Sequence, residues 1–169
     1  MSLYNENART VINAFLWEEL KEADILSEEQ YRLDDFTSEV IPIIPAQQLP
    51  EFNNLIGDKP YIIYDYEVEG YGDSWWICEE ILTYTIVGNK TSTVVEIMEL
   101  MVDLFRRVDD SGQDVQRFNP KTDKIKFYSV SLSSASSPVP FETEGGRVAG
   151  SVEISYKYSR ILDSNGRFA

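Results

Sequence analysis

Residues 147–158 read Arg-Val-Ala-Gly-Ser-Val-Glu-Ile-Ser-Tyr-Lys-Tyr and carry the clearest alternating pattern in the chain. Successive side chains of a β-strand point to opposite faces, so an apolar residue at every second position indicates a strand with one buried face. The positions expected to face the core are Val148, Gly150, Val152, Ile154, Tyr156 and Tyr158. The pattern therefore predicts a final strand whose other face contacts water.

The segment from Ile125 to about Ser133 also has strand character and follows a polar stretch that contains Gly112 and Pro120. No helical pattern separates it from the final strand, so the two are predicted to form an antiparallel hairpin. Residues 133–146 between them are rich in Ser, Gly and Pro. This composition predicts a long mobile loop.

A second hairpin is predicted from residues 60–69 and 74–87, joined by a turn at residues 70–73. The second of these strands is apolar on both faces, which favours a central position in the sheet. Trp75 and Trp76 are adjacent, so one enters the core and the other emerges on the opposite face. The emerging ring would contact either a partner surface or a helix of the same chain.

Two amphipathic helices are predicted. Residues 6–23 carry apolar side chains at three- and four-residue spacing, namely Val11, Ile12, Phe15, Leu16 and Leu20. The second helix begins at Thr93, which has capping-box spacing to Glu96, and ends near Arg107. Ser27 and Gln30 have the same spacing and indicate a short turn.

Residues 36–59 are predicted to form an extended arm. Three prolines within nine residues, Pro42, Pro45 and Pro50, exclude a regular helix or a central strand there. The apolar residues between them make the arm too hydrophobic for a solvated linker. It must therefore lie against its own domain or against a neighbouring subunit.

The fold class predicted from these elements is α+β. A single domain over residues 1–169 would contain one four-stranded, mainly antiparallel sheet packed by two helices, in the order α-β-β-α-β-β. A chain of this length can bury a substantial core. The hydrophobic fraction of 43% and the aromatic fraction of 12% also favour a folded protein.

The charge balance bears on possible partners. The chain has 29 acidic and 15 basic residues and a formal net charge of -14. This excess repels nucleic-acid phosphates and anionic lipids, although acidic walls would let DNA pass through a channel without being gripped. Because the sequence has no signal-like N-terminus, no membrane-spanning run and a single cysteine, we expect a protein of a reducing compartment or a particle.

The sequence has few groups suited to catalysis. It contains no histidine, which excludes Ser-His and Cys-His nucleophile pairs. It also contains no phosphate-binding loop, dinucleotide fingerprint or calcium-loop pattern. We therefore expect no catalytic residue, no cofactor and no enzymatic activity.

A carboxylate-bound magnesium site is the remaining enzymatic alternative. Asp65 and Glu67 share one strand face, and four further acids lie on or near the same hairpin: Glu69, Asp73, Glu79 and Glu80. A chain this rich in acids produces such clusters by chance, and a solvated strand face explains them equally well. Cys78 is expected to be a small buried side chain.

From about Val11 to Ile161 the chain resembles the tail terminator, or tail completion, proteins of long-tailed bacteriophages. The resemblance includes the first helix, the second helix and the closing hairpin. It also includes residues 41–52 (Ile-Pro-Ile-Ile-Pro-Ala-Gln-Gln-Leu-Pro-Glu-Phe), 60–66 (Pro-Tyr-Ile-Ile-Tyr-Asp-Tyr) and 73–76 (Asp-Ser-Trp-Trp).

This resemblance implies a structural virion protein at the junction of tail and neck, assembled in the host cytoplasm. Such proteins form a hexameric ring on the head-proximal end of the tail tube, end its polymerisation and provide the docking surface for the head–neck connector. The implied partners are other copies of the chain, the tail tube protein, the neck connector and, in a contractile tail, the sheath protein. DNA would only pass through the lumen, and no membrane would be involved.

A ring requires two different contact patches on each subunit. We expect them in the arm and in the loop at residues 133–141, with Phe141 as an apolar anchor. The candidate interface residues are Ile41, Ile43, Ile44, Leu49, Phe52, Trp75, Val139 and Phe141. Deletion of residues 134–140 should then spare folding but weaken attachment to tubes.

Three alternatives stay open. A head-completion or neck adaptor protein would share the ring symmetry and the lack of catalytic groups. A carboxylate-dependent nuclease would cleave DNA with magnesium and lose that activity in Asp65→Ala. A generic interaction domain of a cellular protein would remain monomeric and would not bind tubes.

Overall fold

The structure, a computed structural model, describes residues 7–31, 41–49, 57–71, 77–106, 115, 117–140 and 146–161. Within these residues the chain forms two α-helices, α1 (Ala8–Glu22) and α2 (Thr91–Arg106). It also forms five strands: β1 (Ile43–Pro45), β2 (Tyr61–Tyr71), β3 (Cys78–Gly88), β4 (Ile125–Pro140) and β5 (Val148–Arg160). Short 3-10 turns occupy Glu28–Tyr31, Ala46–Gln48 and Asn119–Lys121.

The strands form one mixed sheet in the order β1-β2-β3-β5-β4. Both predicted hairpins are confirmed, since β2 pairs antiparallel with β3 and β4 pairs antiparallel with β5. The hairpins join through an antiparallel β3–β5 ladder. The α+β class is therefore confirmed.

The fifth strand corrects the prediction of a four-stranded sheet. β1 belongs to the proline-rich arm and pairs parallel with β2 over Ile62–Tyr64. The backbone N–H of Ile62 also donates to the carbonyl oxygen of Pro42 at 2.8 Å. Because proline lacks an N–H donor, it is tolerated on an edge strand, and the arm can add only this short edge.

The predicted loop at residues 133–146 is wrong over residues 133–140, because β4 continues to Pro140 and pairs with β5 over this length. The ladder shifts register between Leu132 and Ser134 and again between Ser136 and Val139. These irregularities let a Ser- and Pro-rich stretch stay in the sheet, since bulges and edge positions accept residues that a regular ladder excludes. Residues 141–145 lie outside the described residues.

Both helices begin near their predicted starts. The Asn7 side chain accepts from the Thr10 N–H at 3.0 Å, and Thr10 Oγ1 accepts from the Asn7 N–H at 3.0 Å, which completes a capping box for α1. α2 begins at Thr91, two residues before the predicted Thr93. The capping-box spacing at Ser27 is confirmed, because its N–H donates to Gln30 Oε1 at 3.0 Å.

The main core lies between the helices and one face of the sheet. The even-numbered positions of β3 and β5 point into it, as the alternation in the sequence predicts, and the residues involved are Leu82, Tyr84, Ile86, Val152, Ile154 and Tyr156. They pack against α1 residues such as Phe15 and Leu16 and against α2 residues such as Met101 and Phe105. Both helices therefore cover the same face.

A smaller cluster occupies one end of the opposite face. It contains Ile44, Tyr61, Val87 and Ala149, with Leu49 and Ile63 packed against it. No helix among the described residues contributes to this cluster. The rest of this face, which we call the open face, carries hydroxyl side chains at Thr83, Thr85, Ser151 and Ser155.

Gly150 lets α2 approach the sheet closely. A Cβ atom built at this position would overlap the Met98 Sδ atom and lie 3.1 Å from Met98 Cε. A side chain here would displace Met98 or push α2 away. The glycine in the alternating pattern thus marks the contact between helix and sheet.

Candidate functional site

The arm residues among the interface candidates divide into buried and exposed positions. Ile43 and Ile44 are buried in the chain's own clusters, and Leu49 is half-buried against the smaller one. These three side chains hold the arm to its own domain, so the expectation that they contact a neighbouring subunit is not supported by their placement. Ile41 is exposed and remains accessible to a partner.

Of the remaining interface candidates, only Val139 lies within the described residues. Val139 is exposed near the end of β4, paired with Ala149 of β5. It therefore lies on an edge strand and not in a loop. Phe52, Trp75 and Phe141 lie outside the described residues, as does Trp76.

The exposed large hydrophobic side chains lie along the two lateral edges of the sheet. Ile41, Tyr66 and Val68 lie at the β1–β2 edge. Val139, beside the start of β5, and Ile161, just after its end, lie at opposite ends of the β4–β5 hairpin. Their exposed fractions run from 37% to 59%. The described part of the chain thus presents two separate apolar patches at opposite edges of one sheet, Tyr66 with Val68 on β2 and Val139 on β4.

A groove lies beside the β4 edge. It has a volume of about 520 Å³ and runs between α2 and the second half of β4. Its apolar lining comes from Val95, Met98 and Val102 of α2, and Ala135–Pro138 forms the strand side. Glu99, Asp103 and Arg106 add charged groups. Val139 is paired with Ala149 of the smaller cluster and so lies on the opposite face of the sheet from this groove.

A buried ion pair joins α1 to the sheet. Glu80 lies at a core-facing position of β3 and is 2% exposed. Arg9 Nη1 lies 3.2 Å from Glu80 Oε1, and the Tyr158 hydroxyl donates to the same oxygen at 3.0 Å. The Arg9 guanidinium also stacks over the Tyr66 ring at 3.6 Å from its centroid.

A second buried polar contact lies one helical turn further along α1. The Tyr84 hydroxyl donates to Asn13 Oδ1 at 2.6 Å. Desolvation by burial raises the pKa of Tyr84 well above its ordinary value of 10, and burial likewise raises the pKa of Tyr158. These phenols therefore stay protonated and act as hydrogen-bond donors near neutral pH.

Cys78 is half-buried, so it is less enclosed than the sequence predicts. Burial raises the pKa of its thiol, and the hydrogen bond to Tyr158 lowers it by less. A raised pKa disfavours the thiolate, which is the nucleophilic form. Cys78 acts as a packing residue beside Glu80.

The acidic residues considered for a metal site do not converge within the described residues. Asp65 and Glu67 are exposed on β2, whereas Glu80 points to the opposite face and pairs with Arg9. Glu79 pairs with Lys157 at 3.3 Å. The described part of the chain contains no group of three metal-ligating side chains. Asp73 and the side chain of Glu69 lie outside it.

Comparison with models of known protein families finds no match for this chain, and comparison with curated proteins finds none either. None of the described helices combines the length and the apolar character needed to cross a membrane.

Sequence reasoning missed two structural features, the Arg9–Glu80 ion pair and the groove beside β4. The Arg9–Glu80 pair could have been anticipated, since Glu80 interrupts the apolar series Cys78, Leu82, Tyr84 on the core face of β3. A carboxylate at such a position needs a cationic or hydrogen-bonding partner. The groove beside β4 has no local sequence signal, because it depends on how α2 packs relative to the strand.

Proposed function

We propose that this protein is a structural subunit of a long-tailed phage, present as a hexameric ring on the head-proximal end of the tail tube. The ring ends tube polymerisation and provides the docking surface for the neck connector. The proposal draws on the resemblance over Val11–Ile161 and on the two-layer fold described above. The protein then acts through its surfaces and carries out no bond-making chemistry.

The observation that carries the proposal is the pair of apolar patches at opposite edges of the sheet. A closed ring is built from heterologous contacts, in which one patch of each subunit meets a different patch of the next. The Tyr66–Val68 patch on β2 and the Val139 patch on β4 are different in composition and lie at opposite edges of the sheet. They meet this requirement without any rearrangement of the core.

Two further properties support the proposal. The open face carries hydroxyl groups and is covered by no helix among the described residues, which suits contact with other components of the particle. The one deeply buried carboxylate of the described region, Glu80, is engaged by Arg9 and Tyr158 in joining α1 to the sheet. The net charge of -14 suits a passage through which DNA moves without binding.

Electron microscopy of mixtures tests the function. The purified protein is mixed with cognate tail tubes and, separately, with portal complexes, and both are imaged. A ring at one end of the tubes is expected, together with shorter tubes when the protein is present during polymerisation. Binding to portals alone would instead assign the chain to the neck.

A pair of variants makes the assay specific to the patches. Val139→Asp places a charge in an exposed apolar patch and should abolish capping while leaving the fold intact. Ser92→Asp changes an exposed residue of α2 outside both patches and should cap as the wild type does. Capping that is equally strong in the two variants would remove the Val139 patch from the proposal.

A further inference from the structure

The sheet has two unpaired edges within the described residues. β4 is an edge strand, and its only described partner is β5. At the other end, β1 covers Ile62–Tyr64 of β2, whereas Asp65–Tyr71 has no described partner on that side. An unpaired edge presents backbone N–H and C=O groups that readily pair with another strand.

We propose that β4 of one subunit pairs with the Asp65–Tyr71 edge of β2 in the next subunit, so that the sheet continues from copy to copy. This contact specifies how copies associate in the ring and therefore rests on the proposed function. The occupant of the β4 edge is a second copy of this chain.

Strand direction favours this pairing. β2, β3, β5 and β4 are successively antiparallel, so β4 runs opposite to β2 within one subunit. If the next subunit keeps the same orientation, its β2 runs antiparallel to the β4 that it meets. Antiparallel pairing is the more stable arrangement, and it is obtained here without turning the subunit over.

Charge favours pairing of the β2 edge with the β4 edge over pairing of two β2 edges. The chain contains no acidic residue from Lys124 to Pro140, and its only charges there are Lys124 and Lys126. The β2 edge carries Asp65 and Glu67 on exposed positions. Pairing two β2 edges would bring these carboxylates together, whereas pairing β2 with β4 places them against a neutral, hydroxyl-rich strand.

The side chains on the helix-covered face also fit. Tyr66 and Val68 occupy the same face as Leu82 and Glu80, which is the face covered by the helices. In a continuous sheet they would project on the side where α2 of the neighbouring copy lies. At the level where Glu67 aligns with Ser131, Tyr66 and Val68 would lie beside Leu132 and Val130 of the neighbouring β4, which are on the same face.

The start of β4 is already covered, which limits where pairing occurs. The Asn119 side chain donates from Nδ2 to the Phe127 carbonyl oxygen at 3.2 Å and accepts from the Phe127 N–H at 2.7 Å. Pro138 and Pro140 supply no N–H at the other end. The segment open to a partner strand is therefore Val130–Ser137.

Mixed cross-linking tests the contact. In a Cys78→Ala background, one protein carries Glu67→Cys and a second, with a tag of different size, carries Ser131→Cys. These positions are exposed and occupy the same level of the sheet, since Glu67 aligns with Ile81, Ser155 and Ser131. A short flexible bis-maleimide is added to the mixture, both alone and in the presence of tail tubes.

The expected product is the mixed dimer of the Glu67→Cys and Ser131→Cys chains, in at least one of the two conditions. A matched mixture with Glu96→Cys, on the outer surface of α2, in place of Ser131→Cys should lose that band. Absence of the mixed dimer in both conditions overturns the contact, as does a Ser131→Cys homodimer as the main product. Circular dichroism verifies that each variant is folded.

Tube capping is scored separately by electron microscopy. Capping without the mixed cross-link overturns the strand contact and leaves the proposed function standing. The mixed cross-link without capping supports the strand contact and contradicts the proposed function. A chain that carries both cysteines provides a further reading, since it should give a ladder that stops at the closed ring.

Discussion

Arg9 and Glu80 form an ion pair between the first turn of α1 and the core-facing side of β3, with Arg9 Nη1 3.2 Å from Glu80 Oε1. Removing one partner leaves the other charge buried without compensation, which costs about 3–5 kcal/mol. Arg9→Met should therefore lower the free energy of unfolding strongly. The double variant Arg9→Met/Glu80→Gln should be more stable than Arg9→Met alone.

Urea unfolding of the wild type, both single variants and the double variant completes this cycle. Lys157→Met serves as the control, because Lys157 pairs with Glu79 at 3.3 Å and its own side chain is well exposed. A surface pair contributes about 0–1 kcal/mol, so Lys157→Met should change little. Equal losses in Arg9→Met and Lys157→Met would contradict a structural role for the buried pair.

Alkaline pH should destabilise the fold through its tyrosines. Burial raises the pKa of Tyr31, Tyr84, Tyr156 and Tyr158 above the ordinary value of 10. Above pH 10 the unfolded chain binds fewer protons than the folded one, so the free energy of unfolding falls as the pH rises. Below pH 10 these tyrosines are protonated in both the folded and the unfolded state, so they do not make the free energy of unfolding depend on pH.

Circular dichroism and tyrosinate absorbance, followed together from pH 8 to above pH 11, measure this effect. The two signals should change in one cooperative step for the buried tyrosines. Tyr84→Phe should shift the step to higher pH, although it is less stable at neutral pH because Asn13 loses its donor. Ionisation of all tyrosines near pH 10 without unfolding would show that Tyr31, Tyr84, Tyr156 and Tyr158 are accessible to water.

The sequence predicted the parts of the fold that have a strong local period. The alternation over residues 147–158 places the buried residues of β5 correctly, and the apolar spacing of the helices does the same for α1 and α2. The Ser- and Pro-rich stretch at residues 133–140 lacks such a period. It is held in the sheet by pairing with β5, a tertiary contact that local composition does not report.

The candidate interface was predictable only in part for the same reason. Ile41, Ile43 and Ile44 are the same residue type in the same apolar stretch. Pairing of β1 with β2 buries Ile43 and Ile44, whereas Ile41 precedes β1 and stays exposed. Tyr66 and Val68 lie on the same face of β2 as Ile62, but β1 ends beside Tyr64 and leaves them exposed at the edge of the sheet. Exposure at a sheet edge depends on where the neighbouring strand stops.

Deletion of residues 134–140 should unfold or strongly destabilise the protein, in contrast to the expectation for a loop. These seven residues end β4, which has 16 residues, and they pair with β5 from Val148 to Glu153. The loss of this ladder exposes core residues of β5 such as Val152. Thermal unfolding measures the effect, and an unchanged melting temperature would show that the strand contributes nothing to stability.

Gly150→Val should destabilise the packing of α2 against β5. The new side chain overlaps Met98, and forced overpacking of this kind costs about 1–3 kcal/mol. Gly150→Val combined with Met98→Ala should lose less stability than the sum of the two single variants, because the shortened residue leaves room for valine. Strict additivity in chemical denaturation would contradict the contact between these two residues.

Asn119→Ala should loosen the start of β4. The amide of Asn119 satisfies both the N–H and the carbonyl oxygen of Phe127, as a neighbouring strand would. Without it, these groups turn to water, and we expect a loss of about 1–3 kcal/mol together with faster hydrogen exchange at the Phe127 amide. Asn89→Ala removes an exposed side-chain bond to the Asp58 carbonyl and serves as the control, with little change in stability. If the Phe127 amide exchanges at the same rate in both variants, Asn119 does not protect this edge, and the segment open to a partner strand would extend to the beginning of β4.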